Sequence, residues 1–326
     1  DSSHDGKRDL AGIIAGALDA KLDFIVLTDH NVTNPEPIVL DELTVLAYPE
    51  VSTPYGHLVQ IGQRHPLPEN ARNQHNVLEA MREHGATPVI AHPSRWRRPW
   101  EGSWSNPGGI EIANSASALW RGGAPLLNAL ILAGPNPLLA EAMLYTRDKR
   151  SLERWDEYAS PLTAGYCGVD AHGWLPTSYE LDHWKIQLNV KVPADPAQRA
   201  NAIEQALKEA RFHCVAGIAR QNSGFLFEAH GQSGVLGGSG DSLEQALTHA
   251  LYATKPHGAH SLILYRNGHE VVRTTATTMR YRAPLAGTYR VEATLLMPQP
   301  WLGSSPLPVV YSNKIQIRAT SPKENL

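Results

Sequence analysis

Apolar residues in this chain come in short runs that stop abruptly at His or Asp. Val26-Leu27-Thr28 leads into Asp29-His30-Asn31, Thr87 to Ala91 leads into His92, and Gly165 to Val169 leads into Asp170-Ala171-His172. Such runs mark strands buried on both faces, as in parallel α/β sheets. In α/β barrels the C-terminal ends of these strands carry the functional side chains. Between the runs the period changes. Leu10, Ile13, Ile14, Ala17 and Leu18 form one helical stripe, which predicts a helix over 9–22 followed by a strand over 24–28. The apolar segment 43–47 ends just before Glu50, and Gly56-His57 opens another over 58–61. Residues 76–84 read as a short helix capped by Gly85, 109–112 as a strand, and 125–145 as a helix interrupted at Gly134-Pro135. Ile186, Leu188, Val190 and Val192 alternate, and Asp195-Pro196 opens a helix that runs to about Arg211.

After Gly217 the pattern becomes one of short alternating strands. Residues 262–266 and 270–274 flank Asn267-Gly268, a strong hairpin signal. Residues 287–293 and 314–318 alternate, and 231–240 is rich in Gly and Ser. Residues 242–254 fit either a helix or a strand. The expected organisation is therefore an α/β domain over 1–220 and a small all-β sandwich over 221–326.

Composition narrows the function classes. Of the 326 residues, 42% are hydrophobic and 19% charged, the balance of a folded chain. No apolar run approaches the roughly 18 residues needed to span a bilayer. A net charge of −3 gives no extended nucleic-acid surface. The two cysteines, Cys167 and Cys214, make neither a disulfide framework nor a CxxC metal site, and leave a single disulfide open. No targeting segment is visible, so both an exported and a cytoplasmic location stay open.

The chemistry lies in Asp5, His30, Glu50, His57, His92, Asp170 and His172, most of which follow an apolar strand and precede a loop. A single His in such a place is ordinarily a hydrogen-bonded loop residue, and Asp-His before a turn is ordinarily a cap. Asp170 and His172 are stronger, because positions i and i+2 of an extended stretch point the same way. Seven such residues in one domain point to a metal cluster. The mix of His and carboxylate suits zinc, manganese or iron rather than calcium or magnesium. Arg95 follows His92 closely, and its guanidinium fork suits a phosphate; Arg97 and Arg98 are weaker candidates for the same role. Trp96, Trp100 and Trp104 either line a pocket or pack.

Asp5-Gly6, Thr28-Asp29-His30-Asn31, Glu50, Ala91-His92-Pro93 and Asp170-Ala171-His172 together resemble the ordered motifs of the PHP (polymerase and histidinol phosphatase) superfamily. The resemblance covers roughly residues 1–220. It implies a distorted (β/α)7 barrel and two or three divalent metals. By position, Asp5, His30 and His172 would hold one metal. Glu50 would bridge two others, with His57 and His92 on one side and Asp170 on the other. The C-terminal part resembles the Ig-like sandwich that follows the barrel in some of these proteins. The family's opening His-x-His strand is not in the sequence, which starts at Asp1 just after its expected place, so the barrel is expected to lack its first strand here. The implied activity is hydrolysis of a small phosphorylated substrate by a metal-bound hydroxide, with Arg95 stabilising charge and Asp170 a candidate for proton transfer. The rivals are an amidohydrolase-like reaction or a nuclease on the same metals, and a non-catalytic binding protein with a degenerate barrel.

Overall fold

The computed structural model describes residues 6–95, 97–120, 145, 147–158, 160–161, 163–173, 176–219, 224–299 and 303–320. The amphipathic stripe near the N-terminus forms the helix Leu10–Asp19. Asp9 caps it, its side chain accepting the Gly12 N–H at 2.8 Å. Gly16 lets this helix approach the helix Thr177–Leu181, because a Cβ there would run into the Thr177 side chain.

The helix leads into β1 (Phe24–Leu27), β2 (Ile38–Val39) and β3 (Thr44–Ala47), which form a sheet in the order β1-β3-β2. β1 and β3 pair in parallel, so their ends reach the same side of the molecule. Tyr48 and Pro49 separate β3 from β4 (Glu50–Thr53). The chain keeps its direction across this break: the Tyr48 N–H still bonds to Leu27 O at 2.9 Å. β4 then turns back through Pro54-Tyr55 into β5 (Gly56–Ile61), an antiparallel partner. Gly56 permits that turn with φ of 125°. β6 (Thr87–Ile90) pairs antiparallel with β5, and β7 (Gly109–Asn114) and β8 (Ala164–Gly168) add in parallel. The resulting sheet runs β4-β5-β6-β7-β8.

This is not the (β/α)7 barrel expected from the sequence. The described residues are 38% strand and only 20% helix, divided among several sheets, and no barrel closes. The reason lies in the connections. A parallel barrel needs a crossover helix between successive strands, whereas β4 and β5 are joined by a two-residue turn and β5 meets β6 antiparallel. β1 and β8, which closure would bring together, are each at the edge of a different sheet. The helix expected over 125–145 lies outside the described residues except for residue 145.

The remaining strands are β9 (Trp184–Leu188), β10 (Phe212–Ala216), β11 (Leu226–Gly231), β12 (Gly234–Gly238), β13 (Ser242–Glu244) and β14 (Ala250–Thr254). They continue with β15 (Ser261–Arg266), β16 (His269–Thr274), β17 (Thr278–Arg282), β18 (Gly287–Gln299), β19 (Gly303–Ser312) and β20 (Ile315–Arg318). One sheet of four strands runs β12-β11-β14-β17. A second, of eight strands, runs β13-β20-β18-β19-β10-β9, with β15 on β18 and β16 on β15. The β15–β16 hairpin turns at Asn267-Gly268, both with positive φ (49° and 79°), as this tight turn requires. Residues 242–254, ambiguous in sequence, provide two strands.

The eight-stranded sheet recruits β9 and β10, so it runs across residue 220. Two kinds of bond fasten it to the five-stranded sheet. The disulfide Cys167–Cys214 joins β8 to β10. Asn313 accepts the Gly165 N–H at 2.7 Å and donates to Phe212 O at 3.1 Å. A buried ion network adds to this. Arg290 donates through Nε and Nη2 to both carboxylate oxygens of Asp156, at 2.7 Å each, and through Nη1 to Glu292 at 2.5 Å. Asp156 ends the helix Lys149–Asp156, so the network pins that helix to β18. Among the described residues, no helix is long and apolar enough to cross a membrane.

Candidate metal centre

The end of β1 and the start of β4 are tied by two backbone bonds: Asn31 N–H to Glu50 O at 3.0 Å, and Glu50 N–H to Asp29 O at 3.1 Å. This parallel bridge sets His30 beside Glu50. Asn31 has φ of 55°, and its Oδ1 accepts from Ser52 N at 2.9 Å and from Arg72 Nη1 at 2.6 Å, which fixes the turn after His30. The β4–β5 hairpin brings His57 back to Glu50. His92 enters from the turn after β6, with φ of 29°.

The result is a convergence on one oxygen. Glu50 Oε1 lies 2.7 Å from His57 Nδ1, 3.2 Å from His92 Nε2 and 4.0 Å from His30 Nε2. The ligand atoms of His30, Glu50 and His57 all fall within 4.8 Å of one another. Metal–ligand bonds of about 2.0–2.2 Å put neighbouring ligand atoms at such spacings. A buried His30–Glu50–His57 group could therefore hold a metal ion. His57 supports this independently. Its Nε2 is buried and has no hydrogen-bond partner among the described residues, whereas ordinary buried polar atoms are paired.

The electrostatics are those of a carboxylate among imidazoles. Burial alone would push Glu50 up, but hydrogen bonds from His57 and His92, with the charges of His92 and His30, hold it well below the usual carboxylate range. Burial pulls His92 down, yet its hydrogen bond to Glu50, and the charges of Glu50, Glu111 and Asp170, leave it raised.

Asp170 and His172 follow β8 as expected. Asp170 has φ of 52°, and His172 Nδ1 donates to the Asp170 carbonyl at 2.7 Å. Asp170 Oδ2 is buried without a hydrogen bond among the described residues, and Arg95 Nη1 lies 3.8 Å from it. A cavity of about 420 Å³ is lined by His30, Glu50, His92, Glu111, Asp170 and His172. Five of the seven expected ligands thus line or touch it directly, and His57 reaches it through Glu50. Asp5 lies outside the described residues, as does Trp96.

Of the two readings left open for Trp100, pocket lining or packing, the packing one holds, and the two weaker phosphate candidates lie at the surface. Trp100 does not line the cavity: it is buried against Gly56, and its indole N–H donates to Ser103 O at 3.2 Å. Arg97 and Arg98 are exposed. One residue had no motif to announce it. Glu111, on β7, lines the cavity, and burial pushes it up to about 7, with His92 opposing and Asp170 adding to the shift. The available signal was a lone acid inside the apolar strand Gly109-Ile110-Glu111-Ile112. No known protein family, no curated protein and no solved structure matches the chain.

Proposed function

We propose that this protein is a metal-dependent phosphoesterase acting on a small phosphorylated molecule. The observation that carries the reading is the convergence of His57, His92 and His30 on Glu50 Oε1, a carboxylate that lines the same cavity as Asp170. The donor set of imidazoles and carboxylates favours zinc, manganese or iron, and the second group, Asp170 with His172, favours more than one ion. The ordered motifs that resemble the PHP superfamily support the same chemistry. A divalent ion there would acidify a bound water and neutralise charge building on phosphoryl oxygens. The chain's own residues would divide the rest of the work. Arg95 stands at the Asp170 side with a fork of N–H donors suited to phosphate oxygens. Asp170 Oδ2 is an open acceptor able to orient a water or hold its proton. The cavity, within the range of small-molecule sites, limits the substrate to a compact ester. The Cys167–Cys214 disulfide favours an oxidising compartment.

The test is hydrolysis of para-nitrophenyl phosphate and a panel of sugar and nucleoside monophosphates, beside a panel of amides. The full chain is used, purified without chelators and assayed with added Zn²⁺, Mn²⁺ or Fe²⁺. Phosphate release that a chelator abolishes and metal restores is expected. Protein that binds no metal and releases no phosphate would overturn the reading, and hydrolysis confined to the amides would assign the site to a different hydrolase class.

A further inference from the structure

Glu111 belongs to no motif and makes no bond to Glu50, yet it touches the cluster through the backbone. Its Oε2 accepts the His92 N–H at 2.6 Å, and its Oε1 accepts from Asn114 Nδ2 at 2.9 Å. His92 has a left-handed backbone, φ of 29°, which a residue other than glycine keeps only when its surroundings impose it. In that conformation His92 sends Nε2 to 3.2 Å from Glu50 Oε1. The other side of the carboxylate is closed by Gly168 of β8, where a Cβ would overlap Glu111 Oε1. One carboxylate thus bonds the turn after β6 and its own strand β7, and lies close against β8 just ahead of Asp170.

We infer that Glu111 is a positioning residue, which grips the His92 backbone N–H and so fixes the strained turn that aims His92 at the metal cluster. The inference rests on the metal reading above and names a residue which that reading does not use. Removing the acceptor frees the turn to relax toward ordinary φ, and the imbalance is read at the imidazole. Glutamine at 111 keeps an oxygen for the N–H. Alanine at 168 keeps Glu111 but displaces its carboxylate.

The experiment is a cobalt(II) titration of the full chain, following affinity and the visible absorption of the bound ion. Four proteins are compared: wild type, Glu111→Ala, Glu111→Gln and Gly168→Ala, with folding checked by circular dichroism. Residues that orient ligands typically contribute about 10–100-fold in metal affinity. Losses of that order in Glu111→Ala and Gly168→Ala, with an altered cobalt spectrum and substantial rescue in Glu111→Gln, are expected. If Glu111→Ala does not fold, Gly168→Ala and Glu111→Gln decide on the same readouts. Wild-type affinity and spectrum in Glu111→Ala or Gly168→Ala overturns the inference, as does an equal loss in the Ala and Gln variants at 111. Wild-type protein that binds no cobalt overturns the metal centre itself, a failure distinct from the others.

Discussion

His57 Nδ1 stands 2.7 Å from Glu50 Oε1, while the other nitrogen of the same buried ring has no hydrogen-bond partner among the described residues. Such a ring is oriented by a carboxylate and still has a lone pair to give, the arrangement of a metal-ligating histidine. Glu50 is therefore the residue on which the cluster depends. Glu50→Ala is expected to lower metal affinity by more than about 100-fold, beyond what residues outside the ligand set contribute. Competition against a chromogenic chelator measures this. Wild-type affinity in that variant would remove Glu50 from the ligand set.

Much of the site was legible because a strand end is a local feature. The apolar run before His30, the run before His92 and the run before Asp170 each appear as β1, β6 and β8. Asn267-Gly268 fixed its hairpin for the same reason: two adjacent positive φ values are written in two adjacent residues. The (β/α)7 barrel read from the sequence was wrong, since an apolar run looks alike whether its neighbour is parallel or antiparallel. The Pro54-Tyr55 turn decides that for β4 and β5. Glu111 was missed because its partner is a backbone N–H nineteen positions away, which leaves no pattern in sequence.

Lys314 is the group whose pH dependence is best defined. It is 1% exposed, donates to Trp155 O at 2.5 Å and Tyr158 O at 2.8 Å, and lies 4.6 Å from the Trp155 ring centroid. Burial pushes it down to about 7; the charge of Asp156 opposes this and that of Arg290 adds to it. Between about 7 and its ordinary 10.5 the unfolded chain holds a proton that the folded chain does not. Stability should therefore rise with pH across that window and fall as pH drops through it, by roughly 5 kcal/mol at most. Urea midpoints at pH 7 and 9.5 measure the slope. Lys314→Met should flatten it, and an unchanged slope in that variant would assign the dependence to another group.

The Cys167–Cys214 disulfide closes a separation of 47 residues and links β8, the strand that leads to Asp170, with β10. Constraining a loop of that length in the unfolded chain contributes typically about 2–4 kcal/mol. The double variant Cys167→Ala, Cys214→Ala is expected to lose that much in denaturant unfolding. Thiol titration of the unfolded, unreduced protein should find no free thiol. Two free thiols per chain would show that the bond does not form.

Arg95 gives the sharpest test of the proposed chemistry, because it sits beside the candidate ligand Asp170 without being a candidate ligand itself. Its Nη1 is 3.8 Å from Asp170 Oδ2, and the side chain is partly exposed. At that distance the pair makes no tight hydrogen bond, so the guanidinium can turn its donors to an incoming phosphate without breaking one. Donors aimed at charge that develops during reaction act mainly on kcat, and losing one costs about 10²–10³-fold. Arg95→Ala is expected to fall in that range with metal content unchanged. Arg95→Lys should recover only part of the loss, because a point charge replaces a two-pronged donor. Steady-state kinetics on the best monophosphate, with metal analysis of each variant, separates the outcomes. Loss of metal together with activity would make Arg95 a support for Asp170. Unchanged kcat and KM in Arg95→Ala would take it out of the substrate site.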